Sequence, residues 1–355
     1  MPRTRLLNRD FVLLWQGQLV SQLGSQALAV AMMFWTLEAT GSASLMGILM
    51  VLATLPGVLL GPLAGTLADR ISRKKILVLS DLVSSLSLLT LAIPFFLPGM
   101  DNRVLLPCLL AMASAVGLAQ AFFRPTISAA IPDLVPHSQL NAANSLNQFS
   151  AQFSMILGMG LGGVLFTWLG APLLFIVDGV SYLFSAISEM FIRFPKSPRS
   201  IEREQPDGIA PRSFRQDLVE GLRFVWHNRG MRGFLMLAAS ANFFVMPIVV
   251  LLPFFVTDNL ARDAVWYGFL VAGLSAGGLV GFAIAGMIRL SGELRALVLL
   301  GSLVVQSALL GVLGLLHDPT LALLLLFVQG VLGGHLSIEL TELVCCACHP
   351  LPGIN

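Results

Sequence analysis

Apolar runs of about 20 residues or more, separated by short polar turns, recur along the sequence, and each is long enough to cross a hydrocarbon core of about 30 Å as a helix. Backbone in lipid must satisfy its own hydrogen bonds, which leaves helices and closed barrels. The runs lack the apolar–polar alternation of barrel strands. The fold class they predict is an all-α integral membrane bundle. Charge agrees: 11% of the 355 residues are charged and 56% are hydrophobic, whereas a soluble domain carries about 25% charged residues.

The pattern places spans near 11–39, 43–69, 76–98, 103–131, 140–168 and 172–194, then 232–257, 264–289, 295–316 and 319–340. The one long hydrophilic connection falls between the sixth and seventh. The expected domains are an N-terminal six-helix bundle (1–194), a central loop (195–230), an incomplete C-terminal bundle of four spans (231–340) and a tail of different character (341–355). Within the central loop, Ser213–His227 puts Phe214, Leu218, Leu222, Val225 and Trp226 on one side, the pattern of an interfacial helix.

Lys and Arg set the orientation. With the N-terminus cytoplasmic, the inside loops collect the positive charge, Arg124 lies at the inner end of the fourth span, and only Arg103 and Arg262 fall outside. Met1–Asp10 is polar and basic, and the helix after it is too long and too polar to be a cleavable signal. Cys108 stands alone and Cys345, Cys346 and Cys348 are bunched, which is no disulfide framework. A weak internal repeat pairs Gly61–Gly65 with Gly277–Gly281, and Lys75–Leu79 with Arg295–Leu299. Duplicated helical units of this kind are the usual build of secondary transporters.

Enzymatic readings find no footing. There is no Walker loop, and His137, His227, His317, His335 and His349 are scattered. Cys345, Cys346, Cys348 and His349 are metal-ligand types packed too closely to wrap one tetrahedral ion. No enzyme activity, metal, cofactor or nucleic-acid partner is expected. The expected partners are a small-molecule substrate and the lipid bilayer, with the protein a monomer.

Two stretches carry a family resemblance. Gly65-Thr-Leu-Ala-Asp69-Arg70-Ile-Ser72-Arg73-Lys74-Lys75-Ile-Leu77 resembles motif A of the major facilitator superfamily, with Ser72 in place of a glycine. Phe123-Arg124-Pro125 through Pro132-Asp133 to Pro136, then Leu140-Asn141 and Asn144, resembles the fourth-to-fifth helix connection of a bacterial efflux branch that includes macrolide and siderophore exporters. Leu7-Asn8-Arg9-Asp10-Phe11 resembles the N-terminus of that branch. The resemblance implies a twelve-helix transporter of the bacterial inner (plasma) membrane, built from two six-helix repeats. It would export a small amphipathic molecule by alternating access. In motif A, Gly65 would allow close helix approach and Asp69 would cap a helix and meet the start of an eleventh. Arg70, Arg73 and Lys74 would hold the turn to the anionic leaflet.

Two departures bear on proton coupling. The fifth helix reads Gly158-Met-Gly-Leu-Gly162-Gly163, without the proline of the antiporter signature, although Gly158 and Gly162 keep a helix-packing spacing. Ala113 stands four residues before Gly117, where the family carries an arginine linked to coupling.

Polar residues inside the spans are the candidate site. Gln18, Gln22, Ser25 and Gln26 share one face of the first helix, Asn141, Asn144, Gln148 and Gln152 one face of the fifth, and Gln120 lies in the fourth. The resemblance assigns the first and fourth helices to a central cavity, so these side chains would hydrogen-bond substrate. The alternative is interhelical hydrogen bonding, at about 0.6 kcal/mol each. Asp81, Asp178 and Glu189 lie in the spans, with Glu38 at the outer end of the first. A central charge costs about 2.5–3.5 kcal/mol. Asp178 is the proton-coupling candidate, against a structural role. Asp81 and Glu189 are expected to reach water or basic partners at the cytoplasmic face.

The sequence closes on CCACHPLPGIN after ten spans, which reads as a truncated or frameshifted C-terminus. A non-transporting remnant and a lysolipid flippase of the same fold are the alternatives to export.

Overall fold

The computed structural model describes residues 6–194, 250–287 and 292–348, with 223, 226–228, 232, 233 and 236. All regular structure among them is helical: α1 (Arg9–Thr40), α2 (Ala43–Arg70), α3 (Arg73–Leu91), α4 (Asn102–Leu134), α5 (Leu140–Met190), α6 (Ala264–Met287), α7 (Gly292–Leu313) and α8 (Pro319–Cys348). Among the described residues, five segments are long and apolar enough to cross a membrane: Ala43–Gly61, Arg73–Phe96, Asn102–Leu134, Ala142–Met190 and Ala264–Ile284. Most of the Ser213–His227 helix and most of the 232–257 span lie outside the described residues. The helix from Pro319 continues through 341–348.

Sequence explains where the helices start and stop. Asn8 caps α1: its Oδ1 accepts the Phe11 N–H at 3.1 Å, and its Nδ2 donates to the Leu134 carbonyl at 2.8 Å. One side chain thus starts α1 and ties it to the end of α4. Gly41, at φ 59°, ends α1 in the left-handed conformation that glycine adopts without penalty. Pro94 falls where α3 gives way to a 3₁₀ turn, Ile93–Phe96, so the third helix stops at Leu91, short of the expected 98. In α5 the break comes at Gly170, whose φ of 72° and ψ of 167° only glycine tolerates. It divides α5 where the sequence separates its fifth and sixth spans.

Packing divides the chain into two compact units, Met1–Ser197 with Val256–Ala272, and Pro198–Phe255 with Gly273–Asn355. In the first, α1 packs on α5, α2 on α4, and α3 on both α4 and α5. One end of this bundle holds an apolar cluster of Phe11, Leu14, Leu77, Phe123, Ile127, Ile131, Leu134 and Ile192. In the second, α6 and α8 touch backbone to backbone, with Gly277 against Phe327 and Gly330 against Leu274.

Candidate functional site

A buried polar seam runs through the first unit where α1, α3 and the second half of α5 meet. On α5, Asp178, Ser181, Tyr182, Ser185, Ser188 and Glu189 recur at three- and four-residue steps, so they share one face. All six are buried. The facing positions of α1 are Gly17, Gln18, Ser21, Gly24 and Ser25. A Cβ on Gly24 would collide with Asp178 Oδ1 and lie 2.7 Å from Ser181 Oγ, and one on Gly17 would lie 3.0 Å from Ser185 Oγ. Glycine at these positions lets the α5 polar face reach the α1 backbone. From α3 come Asp81, Ser84 and Ser85, with Ser85 Oγ donating to the Gly179 carbonyl at 2.7 Å.

Asp178 is bonded within the seam. Ser181 Oγ donates to its Oδ1 at 2.9 Å, and Ser25 Oγ lies 3.5 Å from both carboxyl oxygens. Ser25 also donates to the Tyr182 hydroxyl at 2.9 Å, and that hydroxyl accepts Gln120 Nε2 of α4 at 3.3 Å. Tyr182 therefore connects the carboxyl environment to the α4 side chain that the sequence assigns to substrate. At the other end, Gln18 Nε2 donates to Glu189 Oε1 at 3.5 Å, and Gln22 Nε2 to Gln18 Oε1 at 3.4 Å.

The expectation that Asp81 and Glu189 reach water or a basic partner is not met. Both are 0% exposed, and neither is in an ion pair among the described residues. The cations at the start of α3 bond elsewhere. Arg73 pairs with Asp133 and donates to the Ala129 carbonyl at 2.8 Å. Lys74 Nζ donates to the carbonyls of Met190 at 2.5 Å and Ile192 at 3.1 Å. Carbonyls at the end of a helix lack intrahelical partners and carry its negative dipole end. They compete successfully for Lys74. The side chains of Asp69 and Arg70 lie outside the described residues, and no described atom falls within 4 Å of a Cβ built on Gly65, so the close approach expected there is not seen.

The remaining candidates divide by environment. Gln22 and Gln26 are half-buried, and Gln26 Cβ lies 2.5 Å from the Cβ position of Gly158. Gly162 faces Ala27 and Val30 of the same helix, so Gly158 and Gly162 seat α1 against α5. Gln18 lines a small cleft with Phe11, Leu14, Trp15, Ile127, Ile131 and Asn147. Asn144, Gln148 and Gln152 are exposed on α5, and the side chain of Asn141 is outside the described residues. Sequence reading missed Tyr182 and the serines of α5. Their three- and four-residue spacing from Asp178 was the available signal.

Towards the far end of α1, α5 meets the start of α6. Gly163 touches the Ala264 carbonyl and Gly160 touches Gly268. Beside them Tyr267, fully buried, stands edge-on to Phe34 at 5.3 Å, and Phe34 lies 5.7 Å from Phe166.

Known proteins match this architecture. Macrolide efflux protein A of Streptococcus pyogenes is 26% identical over 306 residues, covering 86% of this chain and 73% of that protein. Multidrug efflux pump Tap of Mycolicibacterium fortuitum is 27% identical over 271 residues, 74% of this chain and 63% of the pump. Among solved structures, a D-xylose–proton symporter aligns with a TM-score of 0.65 at 16% identity, over 92% of this chain and 80% of its own. A bacterial homologue of the human lysosomal transporter Spinster, inward-facing and unoccupied, aligns with a TM-score of 0.66 at 15% identity, over 95% and 78%. The profile of the Major Facilitator Superfamily matches residues 14–344, and this membrane-spanning chain belongs to that family of secondary transporters.

Proposed function

We propose that the chain exports a small amphipathic molecule of the macrolide, drug or siderophore type from a bacterial cell, by alternating access across the inner membrane with its N-terminus cytoplasmic. The observation that carries the reading is the similarity to macrolide and multidrug exporters over most of the chain. The first unit supports it. Gln22 and Gln26, and the exposed Asn144, Gln148 and Gln152, are uncharged hydrogen-bonding groups on the long helices α1 and α5. Polar groups at membrane depth are retained where they meet a cavity, a partner or a substrate.

The layout belongs to the same proposal. Ten spans fall into two repeats, 1–194 and 231–340, joined by 195–230. In this orientation the contact of Gly160 and Gly163 with Gly268 and Ala264, sealed by Tyr267 and Phe34, closes the outer side and parts when substrate leaves. Asp178 serves as proton carrier, its carboxyl linked through Ser25 and Tyr182 to Gln120.

The test is uptake of radiolabelled erythromycin by inside-out vesicles from a host stripped of its own macrolide pumps. Vesicles with the chain should accumulate the drug when a proton gradient is imposed, and Gln22→Leu should raise KM. Uptake no greater than in empty vesicles would refute export of this substrate class.

A further inference from the structure

One face of α5 carries two kinds of surface. Gly163 and Gly160 press it onto Ala264, Gly268 and Ala272 at the start of α6. Continued towards the start of α5 at three- and four-residue steps, the same face presents Ile156, half-buried, and then Phe153, Gln152, Phe149 and Gln148, all exposed. We propose that this second stretch, 144–156, is a substrate-reading face. Phe149 and Phe153 pack on an apolar ring surface of the exported molecule, while Asn144, Gln148 and Gln152 hydrogen-bond its hydroxyl and carbonyl groups. This deepens the export reading and rests on it for the class of substrate.

The rotation of α5 is fixed from its opposite side. Ser150, Ser154, Gly158 and Gly162, at four-residue steps, are buried. Trp15 Nε1 of α1 donates to Ser150 Oγ at 2.7 Å. A Cβ on Gly158 would lie 2.5 Å from Gln26 Cβ, and one on Gly162 would lie 3.0 Å from Val30 Cγ2. With that side held on α1, Phe149 stays 62% exposed and Phe153 40% exposed. Their rings stack, with centroids 5.9 Å apart and planes 19° from parallel. Aromatic surface left open in this way is suited to packing against another ring.

Lipid is a poor occupant for this face. Gln152 lies ten residues beyond Ala142, where the apolar segment begins, which is about 15 Å along the axis and about half of a hydrocarbon core of roughly 30 Å. Each primary amide brings two donors and an acceptor, and acyl chains satisfy none of them. Asn144, Gln148 and Gln152 are all exposed, so three amides in one stripe point to a hydrated space that a hydrogen-bonding molecule can enter. A packed helix fits no better. Glycines bring α5 and the start of α6 into backbone contact, whereas Phe149, Gln152 and Phe153 are too bulky for a helix to come as close along 144–156.

No residue from Leu140 to Val177 is charged or titratable. The face therefore selects by shape, ring packing and neutral hydrogen bonds. The class it fits is an amphipathic molecule with an apolar ring body and an edge that carries hydroxyl or carbonyl groups.

The test labels the full chain in lipid nanodiscs with a charged, water-soluble methanethiosulfonate at Gln148→Cys and Gln152→Cys. The comparison is Val180→Cys, whose native side chain is 51% exposed beyond the Gly170 break. Mass spectrometry of the peptides separates these positions from the native cysteines. Positions 148 and 152 should react several-fold faster than 180, and saturating erythromycin should slow them several-fold while leaving 180 unmoved. Phe149→Leu and Phe153→Leu should each weaken binding of radiolabelled erythromycin by roughly three- to tenfold. Phe149→Trp, which keeps a ring, and Phe184→Leu, at a side chain 45% exposed beyond the break, should bind as the parent does. A face that the charged reagent cannot reach lies against lipid, and that result overturns the proposal. So does reagent access that erythromycin does not slow, or parent affinity in both leucine variants. Protection in nanodiscs without uptake into vesicles refutes export and leaves the face standing, whereas uptake without protection leaves export standing and removes the face.

Discussion

Gly117→Ala tests whether the α2–α4 contact is as close as the structure places it. A Cβ at Gly117 would lie 2.6 Å from the Leu52 carbonyl oxygen, 2.7 Å from that of Ala53 and 2.9 Å from Ala53 Cα. All three are backbone atoms, so no side chain can swing aside. Reaching ordinary contact at 3.4 Å requires the helices to separate by roughly 0.8 Å, and a gap of about 0.5–1 Å forfeits a quarter to a half of the dispersion well of each atom pair it opens. Overpacking of this kind costs about 1–3 kcal/mol. The assay is thermal unfolding in detergent followed by circular dichroism, with spin labels on α2 and α4 reporting their separation. The control is Gly57→Ala on the same α2, where an added Cβ meets nothing within 4 Å. Gly117→Ala should melt several degrees lower with the labels moved apart, while Gly57→Ala melts with the parent. Equal melting of all three proteins, with unchanged label distances, would refute the close contact.

Two further outcomes follow from local geometry. Gly170→Ala places a Cβ at φ 72° and ψ 167°. It should cost about 1–3 kcal/mol, read as a lower melting temperature, and a wild-type melting curve would count against the break in α5. Lys74→Met keeps an apolar stem but removes the donor to the Met190 and Ile192 carbonyls. Hydrogen exchange at residues 189–194 should quicken while the middle of α5 stays protected, and unchanged exchange there would show that Lys74 does not hold that end.

Much of this protein follows from local sequence. Long apolar runs demand helices because lipid offers no other partner to the backbone. Gly41 and Gly170 punctuate those helices where the expected spans part, because their backbone restrictions are local, whereas the stop ahead of Pro94 falls inside the span expected over 76–98. Motif A and the Asn8–Asp10 opening were readable too, and the structure adds why Asn8 is there: it caps α1 and holds the end of α4.

The neighbours of each polar side chain depend on how helices pack, and one chain's spacing does not fix that. Asp81 and Glu189 look from sequence like residues near a charged surface. Packing of α3 against α5 buries both. Which groups within the protein Lys74 and Arg73 meet, the carbonyls of Met190 and Ile192 and the carboxylate of Asp133, is likewise decided by packing. Gln18 looks like cavity lining and is buried against Glu189. Sequence by itself determined that this is a helical membrane transporter with polar residues at depth, since composition, run length and motif spacing are properties of the chain alone. Only the tertiary structure decided that three of those residues share one seam with Tyr182, since the approach of α1 and α3 to α5 brings together side chains that are far apart in sequence.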